Sequence, residues 1–199
     1  MIVLGVENSY VDNAAFDAAI VDSHGAMVRR LFPRPPAFEG KGLAINFTTT
    51  HAARSEHCRF LASSIWAGII RHRFTGVPDD TLFLPPVVFE TISFPDTALA
   101  GATGLTDFAK AHDQITDLVA LDDSTVFVTI RVWDYRVEES KFKIVEARWG
   151  RAPFVRESTI SDARVKTSIG DTLIVLRGSV GDTIWVEKRR LAKEGIASP

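Results

Sequence analysis

The 199-residue sequence has very little cysteine, since Cys58 is its only one. A single thiol excludes an intramolecular disulfide and a zinc site built from several cysteines. It also favours a reducing compartment, so we expect a cytoplasmic location or, as the alternative, the interior of a virion. The simplest role for Cys58 is that of a small buried side chain.

Long apolar runs and early basic residues are also missing. No segment reaches the roughly 18 apolar residues that a membrane-spanning helix needs, so we expect no membrane association. The first Lys or Arg is Arg29. The apolar start of the chain therefore lacks the basic region that opens a secretory signal.

The chain has no excess of positive charge. Its 23 Lys and Arg face 25 Asp and Glu, which gives a net charge of −2. Binding along nucleic-acid backbones depends on clustered positive charge, so nucleic acid is not indicated as a partner. The charge is nevertheless uneven: residues 101–150 hold nine acidic and six basic side chains, and residues 151–199 hold six acidic and nine basic. This asymmetry favours contacts within the chain or between copies of it.

The residues that are present suit one folded domain. Hydrophobic residues make up 46% and charged residues 24%, close to the globular average. We expect a single domain over residues 1–199, with an α/β half at 1–120 and a β-rich half at 121–199.

Two helices are predicted in the first half, after a first strand at residues 2–6 and a hairpin over residues 16–32 beside it. Phe60, Leu61, Ile65 and Ile69 recur at helical spacing and predict a long helix over residues 51–73. A similar pattern predicts a second helix over residues 105–119. Between them, Pro85-Pro86 separates a strand at 82–84 from a strand at 87–92. A central strand tolerates proline badly, so this element either bends or lies at a sheet edge.

The second half has the alternation of half-buried strands. Over residues 124–133, four aliphatic side chains alternate with Phe127, Thr129, Arg131 and Trp133. We expect residues 141–149 to return antiparallel to this strand. Two further strands follow Gly-Asp turns at Gly170 and Gly181.

The first third of the chain resembles a known family. The strings that carry the resemblance are Val3-Leu4-Gly5-Val6-Glu7-Asn8-Ser9, Ala18-Ala19-Ile20-Val21-Asp22 with Gly25, and Ser55-Glu56-His57. Over residues 1–70 they resemble the N-terminal part of the threonylcarbamoyl-transfer proteins of tRNA modification, which have a ribonuclease H-like fold. The resemblance implies that Glu7 ends an interior strand, and it makes Ser9 and His57 candidate cofactor-binding residues without predicting a particular cofactor.

The resemblance and the predicted elements together give the expected fold class. We expect an α/β fold with a mixed sheet of the ribonuclease H-like or actin-like ATPase type and an antiparallel C-terminal extension. The alternative is an antiparallel β-sandwich or jelly roll with two inserted helices.

One candidate site follows from this expected fold. RuvC-type junction nucleases share it, and there Glu7 and Glu90 would lie at neighbouring strand ends. Two carboxylates in that position could hold Mg²⁺ and activate water at a phosphate. Glu7 and Glu90 are therefore the candidate catalytic and metal-binding residues.

Three functions remain as hypotheses. The first is a non-catalytic partner subunit of a tRNA-modifying, threonylcarbamoyl-transfer-like complex that acts through protein contacts. The second is a viral or phage structural protein, favoured by aromatic side chains, proline-stiffened segments and the uneven charge. The third is a RuvC-like metal-dependent nuclease. The sequence has no serine nucleophile elbow, P-loop or dinucleotide-binding glycine motif, so we favour a non-enzymatic role with a protein partner or self-assembly.

Overall fold

The structure, a computed structural model, describes residues 2–5, 16–33, 49–74, 80–92, 101–136, 138–150, 154–157, 162–178 and 185–190. These residues form antiparallel β-structure almost throughout, with fourteen strands and a single helix in the described ranges. The helix, α1, is Gly101–Ala111. The expected α/β fold with a mixed sheet is therefore wrong.

The strands form four antiparallel sheets in the described part of the chain. Sheet A has the order β1 (Ile2–Gly5), β2 (Phe16–Val21), β3 (Met27–Pro33). Sheet B has the order β4 (Thr50–Arg54), β5 (Cys58–Ser63), β6 (Gly68–Arg73), β7 (Asp80–Phe83). Sheet C has the order β11 (Phe154–Glu157), β10 (Glu139–Arg148), β9 (Thr125–Asp134), β8 (Gln114–Ala120). Sheet D has the order β12 (Ala163–Ile169), β13 (Thr172–Arg177), β14 (Trp185–Arg190).

Sheet C is the central layer, because both of its faces are covered. Strand β9 is buried along its first six residues, which alternate between two cores. Val126, Val128 and Ile130 belong to a core shared with sheet B. Phe127 belongs to a second core shared with sheet D, to which β13 contributes Val175. The predicted alternation over residues 124–133 is confirmed, and so is the antiparallel return of β10.

One buried hydroxyl links sheets C and D. Thr129 is fully buried on the sheet D face of β9. Its Oγ1 accepts a hydrogen bond from the backbone N–H of Val165 at 3.2 Å. Val165 lies where β12 shifts its register against β13, so its N–H is directed to the neighbouring sheet. The contact supplies a buried donor with the partner that it needs.

The helix predicted over residues 51–73 is wrong, because these residues form β4, β5 and β6. Both faces of β5 are buried: Phe60 enters the core shared with sheet C, and Leu61 points to the opposite face. Burial on both faces removes the alternation that marks a strand, and the apolar residues then also match a helical stripe. The turn between β5 and β6 places the Trp66 ring over Gly68, where any Cβ would overlap the indole.

The second predicted helix, over residues 105–119, is only partly helical. Helix α1 ends at Ala111, and β8 begins at Gln114. The register of β8 shifts between Ile115 and Asp117, and this bulge turns both Ile115 and Leu118 toward the same core. A spacing of three residues on one face is typical of a helix, so the bulge explains why the sequence pattern misled.

The N-terminal hairpin forms, but in a different setting from the expected one. Among the described residues β1 pairs with β2 alone, so it lies at the border of sheet A. The ribonuclease H-like comparison rests on an interior first strand flanked on both sides, and the described order of sheet A contradicts that prediction. The alternative prediction, a sandwich with two inserted helices, is also wrong at residues 51–73, because these residues form strands and not a helix. In the part of the chain that is described, no helix is long and apolar enough to cross a membrane.

We expect Thr129→Val to destabilise the protein by about 1 to 3 kcal/mol, because it leaves the Val165 N–H buried without an acceptor. Denaturant unfolding of the two proteins measures the difference. The matched control is Thr81→Val, which changes an exposed threonine of β7 and should stay within about 0.5 kcal/mol of the parent. Equal stability of Thr129→Val and the parent would show that the sheet C to sheet D hydrogen bond contributes nothing.

Candidate functional site

A cleft of about 340 Å³ lies between the end of α1, strand β10 and the loop of residues 84–92. The turn between β5 and β6 holds this loop at both ends. Leu84 N–H donates to the Ala67 carbonyl, and Ile92 N–H donates to the Ile65 carbonyl, each at 2.9 Å. Because both ends are fixed, the loop forms a preformed wall of the cleft.

The loop is a turn and not the strand predicted over residues 87–92. The N–H groups of Val88 and Phe89 both donate to the Pro85 carbonyl, at 2.8 and 3.0 Å. Pro85 and Pro86 have no N–H to continue the ladder beyond β7, which is the last strand of sheet B in the described part of the chain. An edge position is one of the two alternatives that the prolines predicted. The turn brings exposed Glu90 to the cleft.

Lys143 is the buried charge of the cleft. Its residue is 7% exposed, and its Nζ lies 3.2 Å from Asp113 Oδ2. Along β10 it points to the same face as Val145 and Ala147, which pack in the core. Burying a lysine at this position has a desolvation cost that an aliphatic side chain would not have. The ion pair with Asp113 offsets part of that cost.

His112 contributes an imidazole with a defined orientation. Its Nδ1 lies 2.9 Å from the Phe108 carbonyl oxygen, and a carbonyl can only accept, so Nδ1 carries the proton. The ring also packs on Phe108 with centroids 4.2 Å apart. In the neutral ring Nε2 is then a hydrogen-bond acceptor.

The cleft contains one of the four site residues predicted from the sequence, Glu90. Glu7 and Ser9 lie outside the described residues, and His57 is in the turn between β4 and β5. In the described ranges no group of three or more His, Cys, Asp or Glu side chains could hold a metal ion. The sequence offered one signal for the cleft that was missed: Lys143 stands at an inward position of an apolar strand.

His57 acts in the structure through its backbone. Its N–H donates to Asp123 Oδ1 at 2.9 Å, and the Ser55 hydroxyl donates to the same oxygen at 2.5 Å. These donors, first Ser55 and then His57, lower the pKa of Asp123. The contact joins the turn of sheet B to the turn between β8 and β9. The string Ser55-Glu56-His57 therefore belongs to a structural turn.

A buried arginine completes this junction. Arg71 binds Asp80 with two hydrogen bonds, Nε to Oδ1 at 2.9 Å and Nη2 to Oδ2 at 2.5 Å. Its Nη1 donates to the Asp123 carbonyl at 3.1 Å. The hydrogen bond from Arg71 holds the pKa of Asp80 below its ordinary value. Arg71 thus connects two strands of sheet B to sheet C.

We expect Asp123→Ala to destabilise the protein by about 1 to 3 kcal/mol, because it removes the acceptor of two hydrogen bonds. His57→Ala is the matched control, since it removes an exposed ring and keeps the backbone N–H that bonds to Asp123. It should change the free energy of unfolding by less than about 0.5 kcal/mol. Urea unfolding compares the two variants. A larger loss for His57→Ala would show that the imidazole itself matters.

His51 is a half-buried ring at the junction of sheets B and C. Burial lowers its pKa, and the charge of Lys166 does so too, whereas Asp117 and a hydrogen bond to the Ile115 backbone oppose the shift. Its Nε2 is buried and has no hydrogen-bond partner. Protonation would place a charge on an atom that nothing solvates.

We expect the free energy of unfolding to fall as pH drops below about 6.5, where the unfolded chain protonates His51 and the folded chain does not. The slope from this one group is at most about 1.4 kcal/mol per pH unit. Urea unfolding between about pH 7 and pH 5 should show a smaller fall for His51→Gln. His24→Gln, in the exposed turn between β2 and β3, is the control and should keep the parent slope. Parallel curves for His51→Gln and the parent would contradict the prediction.

Sheet D presents a second surface of interest, on the side away from sheet C. Its register places Ile169, Ile174, Leu176 and Val186 on one face, opposite to the buried Leu173 and Val175. Ile169 is 69% exposed and Val186 is 66% exposed. Lys188 and Arg190 continue the same face of β14, and both are exposed. We call these six residues, Ile169, Ile174, Leu176, Val186, Lys188 and Arg190, the outer face of sheet D.

Comparison with protein-family models, with curated proteins and with solved structures found no match to this chain. Its function must therefore be argued from its own surfaces.

Proposed function

We propose that the protein is a structural assembly protein that associates with further copies of itself through the outer face of sheet D. The observation that carries this proposal is the pair of branched aliphatic side chains, Ile169 and Val186, exposed on a sheet whose opposite face is already packed. Fully burying one such side chain contributes about 1.5 to 3 kcal/mol. Ile174 and Leu176 lie between Ile169 and Val186 on this face, with Thr167 and Thr172 beside them. Exposed apolar side chains on one sheet face are typical of a protein contact.

A complementary surface lies at the tip of the β9–β10 hairpin. Tyr135 is 66% exposed there. The carboxylates of Asp134, Glu138 and Glu139 outnumber the cations of Arg136 and Lys141 at this tip. An aromatic side chain with acidic neighbours suits an apolar face that continues into Lys188 and Arg190.

The two surfaces differ, so a contact between them is head-to-tail. Each copy would then offer its hairpin tip to one neighbour and its sheet D to another. Contacts of this type generate rings or helical filaments. A viral or phage coat or virion component is the role predicted from the sequence that fits such growth, and it stays a prediction.

The other two hypotheses gain no support from the described residues. The threonylcarbamoyl-transfer partner depended on a ribonuclease H-like fold, which this chain does not have. The nuclease depended on Glu7 and Glu90 meeting at strand ends, but Glu90 lies in a loop and Glu7 lies outside the described ranges.

We expect light scattering to give the purified chain a mass of several times the 21.9 kDa of one copy, with lower mass at high salt. Val186→Lys and Tyr135→Ala should each reduce the mass. Val28→Lys is the control for the first variant, because Val28 is a strand valine with 63% exposure outside both surfaces.

Before the masses are compared, circular dichroism should be used to check that each variant keeps its β-structure. A monodisperse particle of 21.9 kDa at all concentrations would overturn the proposal. Equal effects of Val186→Lys and Val28→Lys would overturn the assignment to sheet D.

A further inference from the structure

We infer that Glu138 of one copy forms an ion pair with Lys188 of the next copy, and that this pair sets the register of their head-to-tail contact. The pair rests on the proposed function, because it joins the two surfaces through which the copies associate. It goes further than that function by selecting one carboxylate and one ammonium group from the charges that the two surfaces carry.

Lys188 is the cation of the outer face of sheet D that the fold leaves without a carboxylate. The other cation of this face, Arg190, donates to Asp171 Oδ2 at 3.0 Å. In the described part of the chain no carboxylate pairs with Lys188. Lys188 is exposed and lies opposite Ile174 in the register of sheet D. It therefore offers an uncompensated charge beside the apolar residues of this face.

Glu138 is the matching carboxylate at the tip of the β9–β10 hairpin. The other carboxylates of the tip are engaged within the chain. Asp134 Oδ1 accepts a hydrogen bond from the Arg136 N–H at 2.9 Å. Glu139 pairs with Lys141 at 3.0 Å. Glu138 is exposed, and among the residues that the structure describes none pairs with it.

The backbone at Glu138 has a conformation that suits glycine better than glutamate. Its φ is 53°, and within the described ranges it is the one non-glycine residue with positive φ. The Cβ atom is crowded by the backbone in this left-handed region, so hairpin turns usually have glycine or asparagine there. Such strain is retained mainly where a side chain serves function. Because no group of the described fold uses the Glu138 carboxylate, a contact outside the chain accounts for it.

The two surfaces present their groups at matching spacings. Tyr135 and Glu138 are the first and last residues of the turn over residues 135–138. A four-residue turn brings its first and last Cα atoms to within about 7 Å. Val186 and Lys188 are two residues apart on one face of β14, which also separates them by about 7 Å. When Tyr135 packs on Val186, Glu138 is therefore brought to Lys188.

The experiment is a charge swap in the full chain, followed by light scattering over a range of concentrations. Glu138→Lys and Lys188→Glu should each weaken self-association by about tenfold or more, because each brings like charges together. The double variant Glu138→Lys/Lys188→Glu restores an opposite pair at every contact and should recover most of that loss. Glu139→Lys/Lys188→Glu is the matched control. It should associate as weakly as Lys188→Glu alone, since Glu139 is engaged with Lys141 in the parent chain.

Glu138→Gly separates a role in binding from a role in the turn. Glycine relieves the left-handed backbone and removes the carboxylate. We expect a higher urea midpoint of unfolding at high salt, where association is weakened, together with weaker self-association at low salt. A lower urea midpoint for Glu138→Gly would show that the carboxylate stabilises the turn, and the inference would be overturned.

The outcomes distinguish this ion pair from the assembly itself. A parent chain that remains a monomer at every concentration overturns the proposed function and the pair with it. A parent chain that assembles, with a double variant no stronger than the weaker of the two single variants, overturns the pair alone. Recovery by Glu139→Lys/Lys188→Glu to the same extent as by the charge swap at Glu138 also overturns the pair alone.

Discussion

The burial of sheet C on both faces is the constraint on which the other layers depend. Strand β9 can contribute Val128 to one core and Phe127 to the other only if a sheet covers each side. Sheets B and D supply that cover, and buried polar groups fix their positions. Thr129 accepts the Val165 N–H from sheet D, and Arg71 donates to the Asp123 carbonyl from sheet B. Apolar contact brings the layers together, and these directional bonds set their register.

The same double burial decides which elements the sequence could predict. Strand β9 was predictable because its two faces differ in chemistry, with aliphatic residues on one and Phe127, Thr129 and Arg131 on the other. Strand β5 was not, because Phe60 and Leu61 are both apolar and are buried on opposite faces of sheet B. Strand β8 misled for a geometric reason, since a bulge changes the period of its buried residues. Apolar periodicity reports burial, and it identifies the element only where one face is polar.

The cleft was harder to predict than the fold, because its residues are far apart in sequence. Glu90 comes from a proline turn, His112 from the end of α1 and Lys143 from β10. Only Glu90 was among the sequence candidates, and it was chosen for a strand end that does not exist. The position of Lys143 in an apolar series was the one local signal. Its partner Asp113 follows the helix and lies thirty residues earlier, a distance that no motif spans.

Layered sheets also explain why this fold exposes apolar surface. Each sheet has two faces, and a stack of layers always ends in sheets that lack a neighbour. Sheet D ends the stack on one side, and its outer face keeps Ile169 and Val186 where a surface strand would normally be polar. Lys188 and Arg190 on the last strand limit unspecific pairing of that edge. A surface that is apolar at its centre and charged at its edge can bind a partner with matching charge. The same charges disfavour partners that do not match, and specific association requires both effects.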